Sequence, residues 1–185
     1  MNIANRISIA RIVLIPFFIA SLIYARTDLA FLIFFIAVLS DGVDGYIARR
    51  WKQKTRLGTI LDPIADKLLL VSAFICLATL KDIPAAVRIP PYVVIVTISR
   101  DALIVLGSII IYIMNGDLRV MPTPIGKITT FFQMATIISV LLRFEYAPLV
   151  WNCAVGLTVL SGADYIVRGS RLLNNNNFRN KETDV

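Results

Sequence analysis

Four aspartates between residues 41 and 66 form two closely spaced pairs. Asp41 and Asp44 are three residues apart, and Asp62 and Asp66 are four residues apart. In a helix, either spacing places both carboxylates on one face. The chain has no histidine, and its two cysteines stand singly within apolar runs, so the ligands of this cluster are all oxygen. Oxygen ligands favour hard divalent cations such as Mg²⁺ or Mn²⁺. Two pairs of carboxylates therefore predict a two-metal site of the kind used in phosphoryl displacement.

Small residues and one arginine are interleaved with the acidic pairs. Gly45, Ala48 and Gly58 leave room for a bulky ligand to approach the helix backbone. Arg49 is one turn beyond Gly45 and is placed to pair with a diphosphate. A simpler explanation is that the carboxylates pair with the basic loop between them. That explanation accounts less well for four acids at this spacing among small residues.

The residues around this cluster are strongly apolar, which indicates what kind of element positions it. The chain has 185 residues, of which 57% are hydrophobic and 17% charged, with a mean hydropathy of +0.76. Soluble domains are only about 45–50% apolar and about 25% charged. A membrane domain of residues 1–173 is therefore expected, followed by a disordered polar tail over residues 174–185. The apolar runs are Ile12–Ala25, Leu29–Ser40, Leu68–Leu80, Ala102–Gly116, Ile128–Leu142 and Tyr146–Ala163.

The apolar runs predict an all-α polytopic membrane protein with six transmembrane helices. A crossing needs about 20 residues, so flanking charged residues must join several of these helices. Pro63 directly after Asp62 is typical of a helix that begins there with the aspartate as its cap. The first run has no cleavage site after it and is expected to be a retained span rather than a signal peptide.

The distribution of basic residues predicts the orientation of these spans. Lysine and arginine are concentrated at both chain ends and in the loop after the second run. By the positive-inside rule, both termini and the acidic cluster are then cytoplasmic, and the number of spans is even. The net charge of +7 is explained by these loops and by anionic lipid headgroups. No nucleic-acid partner is predicted, because no aromatic residues are interleaved with the basic ones.

The segment from Asp41 to Asp66 resembles the signature of the CDP-alcohol phosphatidyltransferase family. It reads D-x-x-D-G-x-x-A-R, then eight residues, then G-x-x-x-D-x-x-x-D, and every fixed position is filled. The resemblance implies a six-helix fold, usually homodimeric, in the bacterial inner membrane. It implies that the aspartates bind two divalent metals that hold the diphosphate of CDP-diacylglycerol. It also implies that Asp66 is the base that deprotonates the acceptor alcohol, with CMP as the leaving group.

Three further segments are similar to the phosphatidylglycerophosphate synthases of this family, which use glycerol 3-phosphate as the acceptor. They are the opening MNIANRISIARIVLIPFF, the stretch GKITTFFQ and the stretch SGADY. The resemblance therefore favours glycerol 3-phosphate, with Arg100 and Lys127 as the candidate residues for binding its phosphate. Arg100 and its neighbour Asp101 could instead form a structural ion pair, and Lys127 could simply reach the lipid headgroups.

Two departures from that pattern leave the acceptor open. Ser108 and Thr129 stand where the synthases have an arginine and a lysine. The string Ile-Ser-Arg-Asp ending at Asp101 is also similar to cardiolipin synthases, so phosphatidylglycerol is the alternative acceptor. A small membrane transporter is a more remote alternative, because transporters often consist of two related halves and none is visible here.

Overall fold

The described part of the chain is helical in all its regular structure. The computed structural model describes the backbone of residues 3–51, 56–80, 87–115 and 123–183, and the side chains of residues 9–40, 64–80, 87–107 and 123–168. These ranges contain helices and turns but no strand, which confirms the predicted all-α class. The helices are α1 (Ile3–Ile23), α2 (Thr27–Trp51), α3 (Arg56–Thr79), α4 (Pro91–Asn115), α5 (Pro124–Leu141) and α6 (Ala147–Thr183).

The helices extend beyond the apolar runs and include the flanking charged residues, as the sequence predicts. Helix α2 continues past Ser40 through the first aspartate pair, and α3 contains the second pair. The prediction that a helix begins at Asp62 is wrong, because α3 already begins at Arg56. Proline is favoured in a first turn, but it is also tolerated inside a membrane helix, where neighbouring helices and side chains satisfy the backbone groups that it frees. Pro63 is therefore an interior residue of α3.

Two helical stretches are long and apolar enough to cross a membrane. They are Pro124–Leu141 and Ala147–Arg168, and the shorter stretches Ile9–Ile23 and Thr27–Ser40 are also apolar. This finding concerns length and composition within the described ranges alone. The exact number of crossings therefore stays a prediction.

The distribution of polarity is that of a protein surrounded by lipid. Large apolar side chains face outward, for example Phe17 at 61% exposure and Phe131 and Leu149 at 67% each. Charged side chains lie inside, and both Arg11 and Arg100 are buried. In water this arrangement would expose large apolar patches. In a bilayer it is the expected one, since ionisable groups face the interior of the helix bundle.

Helix α1 packs along both α2 and α3, while α6 packs along both α4 and α5. The core between the first three helices contains Phe18, Phe34 and Phe74, each fully buried, and the rings of Phe18 and Phe34 are 5.8 Å apart. Small residues such as Ala37 and Ala73 are also fully buried there. Small side chains let membrane helices approach closely, which increases van der Waals contact between them.

Polar side chains join α5 to α6. Thr129 and Gln133 are fully buried on α5. The Thr129 hydroxyl contacts the carbonyl oxygens of Ile125 and of Leu157 on α6, at 2.8 and 3.2 Å. Gln133 donates to the Thr158 hydroxyl at 3.4 Å. Hydrogen bonds of this kind between membrane helices contribute about 0.6–2 kcal/mol each, so they fix the register of α5 against α6.

Helix α6 continues to Thr183. Extending an existing helix adds one hydrogen bond per residue and avoids the cost of nucleation. Because extending a helix costs less than starting one, a polar segment can follow the apolar part of α6 as a helix. The division into a domain of residues 1–173 and a tail of residues 174–185 stays a prediction.

Replacement of Gly107 by alanine should destabilise the contact between α4 and α6. A Cβ atom at Gly107 would lie 2.7 Å from Cε1 of Tyr165, whose hydroxyl donates to the Ile104 carbonyl at 3.1 Å. Overpacking of this kind costs about 1–3 kcal/mol, which thermal unfolding in detergent would measure. Gly156→Ala is the matched control, because nothing lies within 4 Å of a Cβ there. Equal melting temperatures for the two variants would contradict the prediction.

Candidate functional site

A cavity of about 440 Å³ lies between α3, α4, α5 and α6. Three cationic side chains reach its wall, one each from α3, α4 and α5, and we call it the cationic cavity. Apolar residues, among them Ile104 and Phe131, complete the wall. A concave site with a few convergent polar groups is the usual form of a small-molecule site. The polar and charged side chains in the wall are those of Lys67, Arg100, Thr123, Lys127, Thr130, Ser161 and Tyr165.

Arg100 is fixed in this wall by two hydrogen bonds. Its Nη1 donates to Oδ1 of Asp101 at 2.9 Å, and its Nη2 donates to the Ser161 hydroxyl at 2.6 Å. Gly126 on α5 leaves room for the guanidinium: a Cβ there would lie 3.1 Å from Nη2, a tight contact. A buried guanidinium held by two partners is preorganised to meet an anion.

Asp101 joins two cations rather than one. It is 6% exposed, and its Oδ2 lies 2.6 Å from the Nζ of Lys67 on α3, while its Oδ1 accepts from Arg100. The structural ion pair that the sequence left open as an alternative for Arg100 and Asp101 is therefore present. It does not remove Arg100 from the cavity, since Arg100 also lines the wall.

The amino-terminal end of α5 borders the cationic cavity. Thr123 caps this helix with extended backbone angles of φ −78° and ψ 143°, and its side chain accepts from the Gly126 N–H at 3.1 Å. Pro124 follows as the first helical residue, and Lys127 stands in the first turn. The positive end of a helix dipole favours anions. Helix α5 therefore adds a fixed positive potential to the charges of the side chains.

Asp66, the residue next to Lys67, points in a different direction. Its carboxylate forms an ion pair with Arg11 of α1, whose side chain is 2% exposed. Lys67 meanwhile contacts α4 through Asp101. Two consecutive residues of α3 therefore form ion pairs with different neighbours, Asp66 with α1 and Lys67 with α4 beside the cationic cavity.

The other predicted site residues lie in helices whose side chains are outside the described ranges at these positions. The backbone places the first aspartate pair near the end of α2 and Asp62 in the first half of α3. Asp66 is the one member of the acidic cluster whose side chain is described, and the described side chains contain no group of three or more metal ligands. The convergence of the four carboxylates therefore stays a prediction. The residues concerned are Asp41, Asp44, Gly45, Ala48, Arg49, Gly58 and Asp62.

The structure adds two residues that the sequence did not predict as site residues. Lys67 lines the cationic cavity and Arg11 contacts Asp66. One signal was available, since both interrupt apolar helices, where charged residues are costly and usually functional. Thr129 faces α6, as its hydrogen bond to Leu157 shows. Thr129 is therefore not part of the cavity wall, which its neighbour Thr130 does line. The side chain of Ser108, the second departure, is outside the described ranges.

The chain belongs to the CDP-alcohol phosphatidyltransferase family, whose sequence profile matches residues 1–160. This agrees with the helical fold and with the complete signature from Asp41 to Asp66.

Curated relatives cover almost the whole chain. The CDP-diacylglycerol--glycerol-3-phosphate 3-phosphatidyltransferase of Bacillus subtilis is 33% identical, over 95% of this chain and 99% of the relative. The enzyme of the same name from Haemophilus influenzae is 32% identical, over 94% and 97%. A probable phosphatidylglycerophosphate synthase of Mycobacterium tuberculosis is 32% identical, over 92% and 82%.

Ser161→Ala should destabilise the protein by leaving a buried guanidinium N–H of Arg100 without its acceptor, which lies at 2.6 Å. An unsatisfied buried polar group costs about 1–3 kcal/mol, to be measured as a loss of thermal stability in detergent. Ser72→Ala is the matched control, because the Ser72 hydroxyl donates only within its own helix, to the Leu69 carbonyl at 2.9 Å. A Ser161 variant as stable as the Ser72 variant would mean that the bond does not hold Arg100.

Proposed function

We propose that this protein transfers the phosphatidyl group of CDP-diacylglycerol to glycerol 3-phosphate, which forms phosphatidylglycerophosphate and releases CMP. The observation that carries this proposal is the position of the cationic cavity, which begins one residue from Asp66 along α3. A carboxylate and a cationic wall side by side suit an acceptor that has both a hydroxyl and a phosphate. The names of the relatives support the same acceptor.

The donor is assigned to the acidic side of α3. Asp41, Asp44, Asp62 and Asp66 would hold two divalent cations, Mg²⁺ or Mn²⁺, whose chemistry is to neutralise the diphosphate of the donor. The donor set fits such ions, because the chain offers carboxylates and no histidine in this region. The CDP-lipid itself is assigned to the interleaved residues Gly45, Ala48, Arg49 and Gly58.

The acceptor phosphate is assigned to the cationic cavity, with Arg100 and Lys127 as its binding residues. From there the acceptor hydroxyl reaches Asp66, which takes its proton. The hydroxyl oxygen forms a bond to the lipid-side phosphorus while the bond from that phosphorus to CMP breaks. Arg11, in its ion pair with Asp66, restricts the orientation of this carboxylate. The reaction needs no covalent intermediate, since positioning, charge neutralisation and one base are sufficient.

Phosphatidylglycerol is the second candidate acceptor, which would make the product cardiolipin. The apolar part of the cavity wall favours it: Ile104, Phe131 and Met134 lie beside the cations, and Phe131 is 67% exposed. An acyl chain could lie against these side chains while its headgroup enters the cavity.

The same proposal includes the membrane location, orientation and oligomeric state of the protein. The chain is an integral membrane protein, and we place it in the bacterial inner membrane with both termini and the site on the cytoplasmic side, as the basic residues predict. A homodimer is expected from the resemblance to the family.

One product analysis tests the proposed function. The purified protein is incubated with CDP-diacylglycerol, Mg²⁺ and one candidate acceptor at a time, and the lipid product is identified by mass. We expect phosphatidylglycerophosphate with glycerol 3-phosphate, and none with glycerol. Cardiolipin from phosphatidylglycerol, without phosphatidylglycerophosphate, would replace the acceptor but keep the enzyme class. No product with either acceptor, or with inositol phosphate, serine or choline, would refute the enzyme class itself.

Asp66→Asn tests the assigned base. The amide keeps the size of the side chain but cannot take a proton, so turnover should fall about 10²–10⁴-fold while CDP-diacylglycerol still binds. Asp28→Asn is the control, because Asp28 is exposed in the first turn of α2. A near-normal rate for the Asp66 variant would assign the proton to another group.

Removal of divalent cations tests the assigned metals. Excess EDTA should abolish the activity of the unaltered protein, and added Mg²⁺ or Mn²⁺ should restore it.

A further inference from the structure

We propose that Lys67 is a binding residue of the acceptor site and makes the cationic cavity selective for a phosphate monoester. The inference rests on the proposed function and extends it, because neither the signature nor the pair Arg100 and Lys127 assigns a role to Lys67. It names the property of the acceptor that is recognised, which is the charge on its phosphate.

The first argument is the position of the Lys67 ammonium. Lys67 lines the cavity, and its side chain is 32% exposed. Its Nζ lies 2.6 Å from Oδ2 of Asp101, and this ion pair holds the ammonium beside the cavity. An ammonium has three N–H donors, of which the carboxylate takes one. A phosphate in the cavity would offer acceptors to the other two.

The second argument is that Arg100 is already engaged. Both of its terminal nitrogens donate to protein groups, Nη1 to Asp101 and Nη2 to Ser161. A guanidinium has five N–H donors, so these two bonds fix the orientation of Arg100 and leave donors for a ligand. Lys67 and Lys127 add donors from two other helices, α3 and α5.

The third argument is the balance of charge. Among the described side chains, the three cations of the wall are Lys67, Arg100 and Lys127. Together with the carboxylate of Asp101, which joins two of them, they give a net charge of two positive units. A phosphate monoester has a charge of about −1.5 to −2 at pH 7, which matches this value. The phosphodiester of phosphatidylglycerol has a single negative charge. Without Lys67 the cavity would match the phosphodiester instead.

Asp101 is the positioning residue in this arrangement. Its two carboxylate oxygens face Arg100 and Lys67 separately, so it holds cations of α3 and α4 together against their mutual repulsion. Two like charges brought near each other in the interior of a membrane protein repel strongly. The shared carboxylate lets both remain charged beside the same ligand.

Steady-state kinetics of Lys67→Met tests the inference. Because the variant loses a charged hydrogen bond to the acceptor, the KM of glycerol 3-phosphate should rise about 10- to 100-fold. The KM of CDP-diacylglycerol should change less than about threefold. The preference for glycerol 3-phosphate over phosphatidylglycerol, as a ratio of kcat/KM, should fall by a similar factor. Lys67→Arg keeps the charge and should retain most of the acceptor affinity.

Arg168→Gln is the matched control for the loss of a positive charge. Arg168 is 55% exposed on α6 and pairs with Asp164 of its own helix, away from the cavity wall, so neither KM should change. A purely structural role for Lys67 would instead change both KM values of the methionine variant together, or lower its melting temperature without a selective effect on the acceptor.

The outcomes separate this inference from the proposed function. A Lys67→Met variant with the normal KM for glycerol 3-phosphate, in a protein that makes phosphatidylglycerophosphate, overturns the inference alone. A protein that makes none with Lys67 intact overturns the proposed function. If the methionine variant does not fold, Lys67→Arg is the deciding variant. A tenfold loss of affinity for the acceptor, without a matching loss for CDP-diacylglycerol, would mean that the positive charge at this position does not bind the acceptor phosphate.

Discussion

A charge inside an apolar helix bundle must have a partner, and this constraint governs how the helices of this protein meet. Removing one member of a buried ion pair leaves the other uncompensated at a cost of several kcal/mol. Helix α3 has two consecutive charged residues of opposite sign, and each is paired to a different neighbour: Asp66 to Arg11 of α1, and Lys67 to Asp101 of α4. These two ion pairs place α3 between α1 and α4.

Under the proposed function, that position of α3 puts the donor region with its aspartates and the cationic cavity on different sides of the helix. The signature aspartates belong to α2 and α3, and the cations of the cavity belong to α3, α4 and α5. If the carboxylates and the cations shared one region, the carboxylates would repel an anionic acceptor. They would also pair with the cations that the acceptor needs. Under the proposed function, an acceptor with a hydroxyl at one end and a phosphate at the other would connect the two regions, and the carbon chain between them would set the distance.

The packing of the helices shows which residues line the cavity, and this differs from what the family pattern alone indicates. Thr129 is fully buried against α6 and does not line the cavity. Lys67 brings a positive charge from α3, a helix that the motif links to metal binding rather than to the acceptor. The number of cations around an acceptor site therefore cannot be counted along a motif, because side chains from separate helices contribute to the same wall.

The sequence by itself determined the helical class, the membrane setting and the family, since these depend on local composition and on a signature that is continuous in the chain. It also indicated Arg100 and Lys127, because a charge within an apolar stretch is visible without coordinates. It misplaced the start of α3, since proline is tolerated inside a membrane helix as well as at the beginning of a helix. Only the tertiary structure decided the pairing of Asp66 with Arg11, the bridging of Arg100 and Lys67 by Asp101, and the direction of Thr129. These contacts join residues as far as 55 positions apart, as between Arg11 and Asp66. Such contacts arise from the rotation and crossing of packed helices, which a linear pattern of residues does not specify.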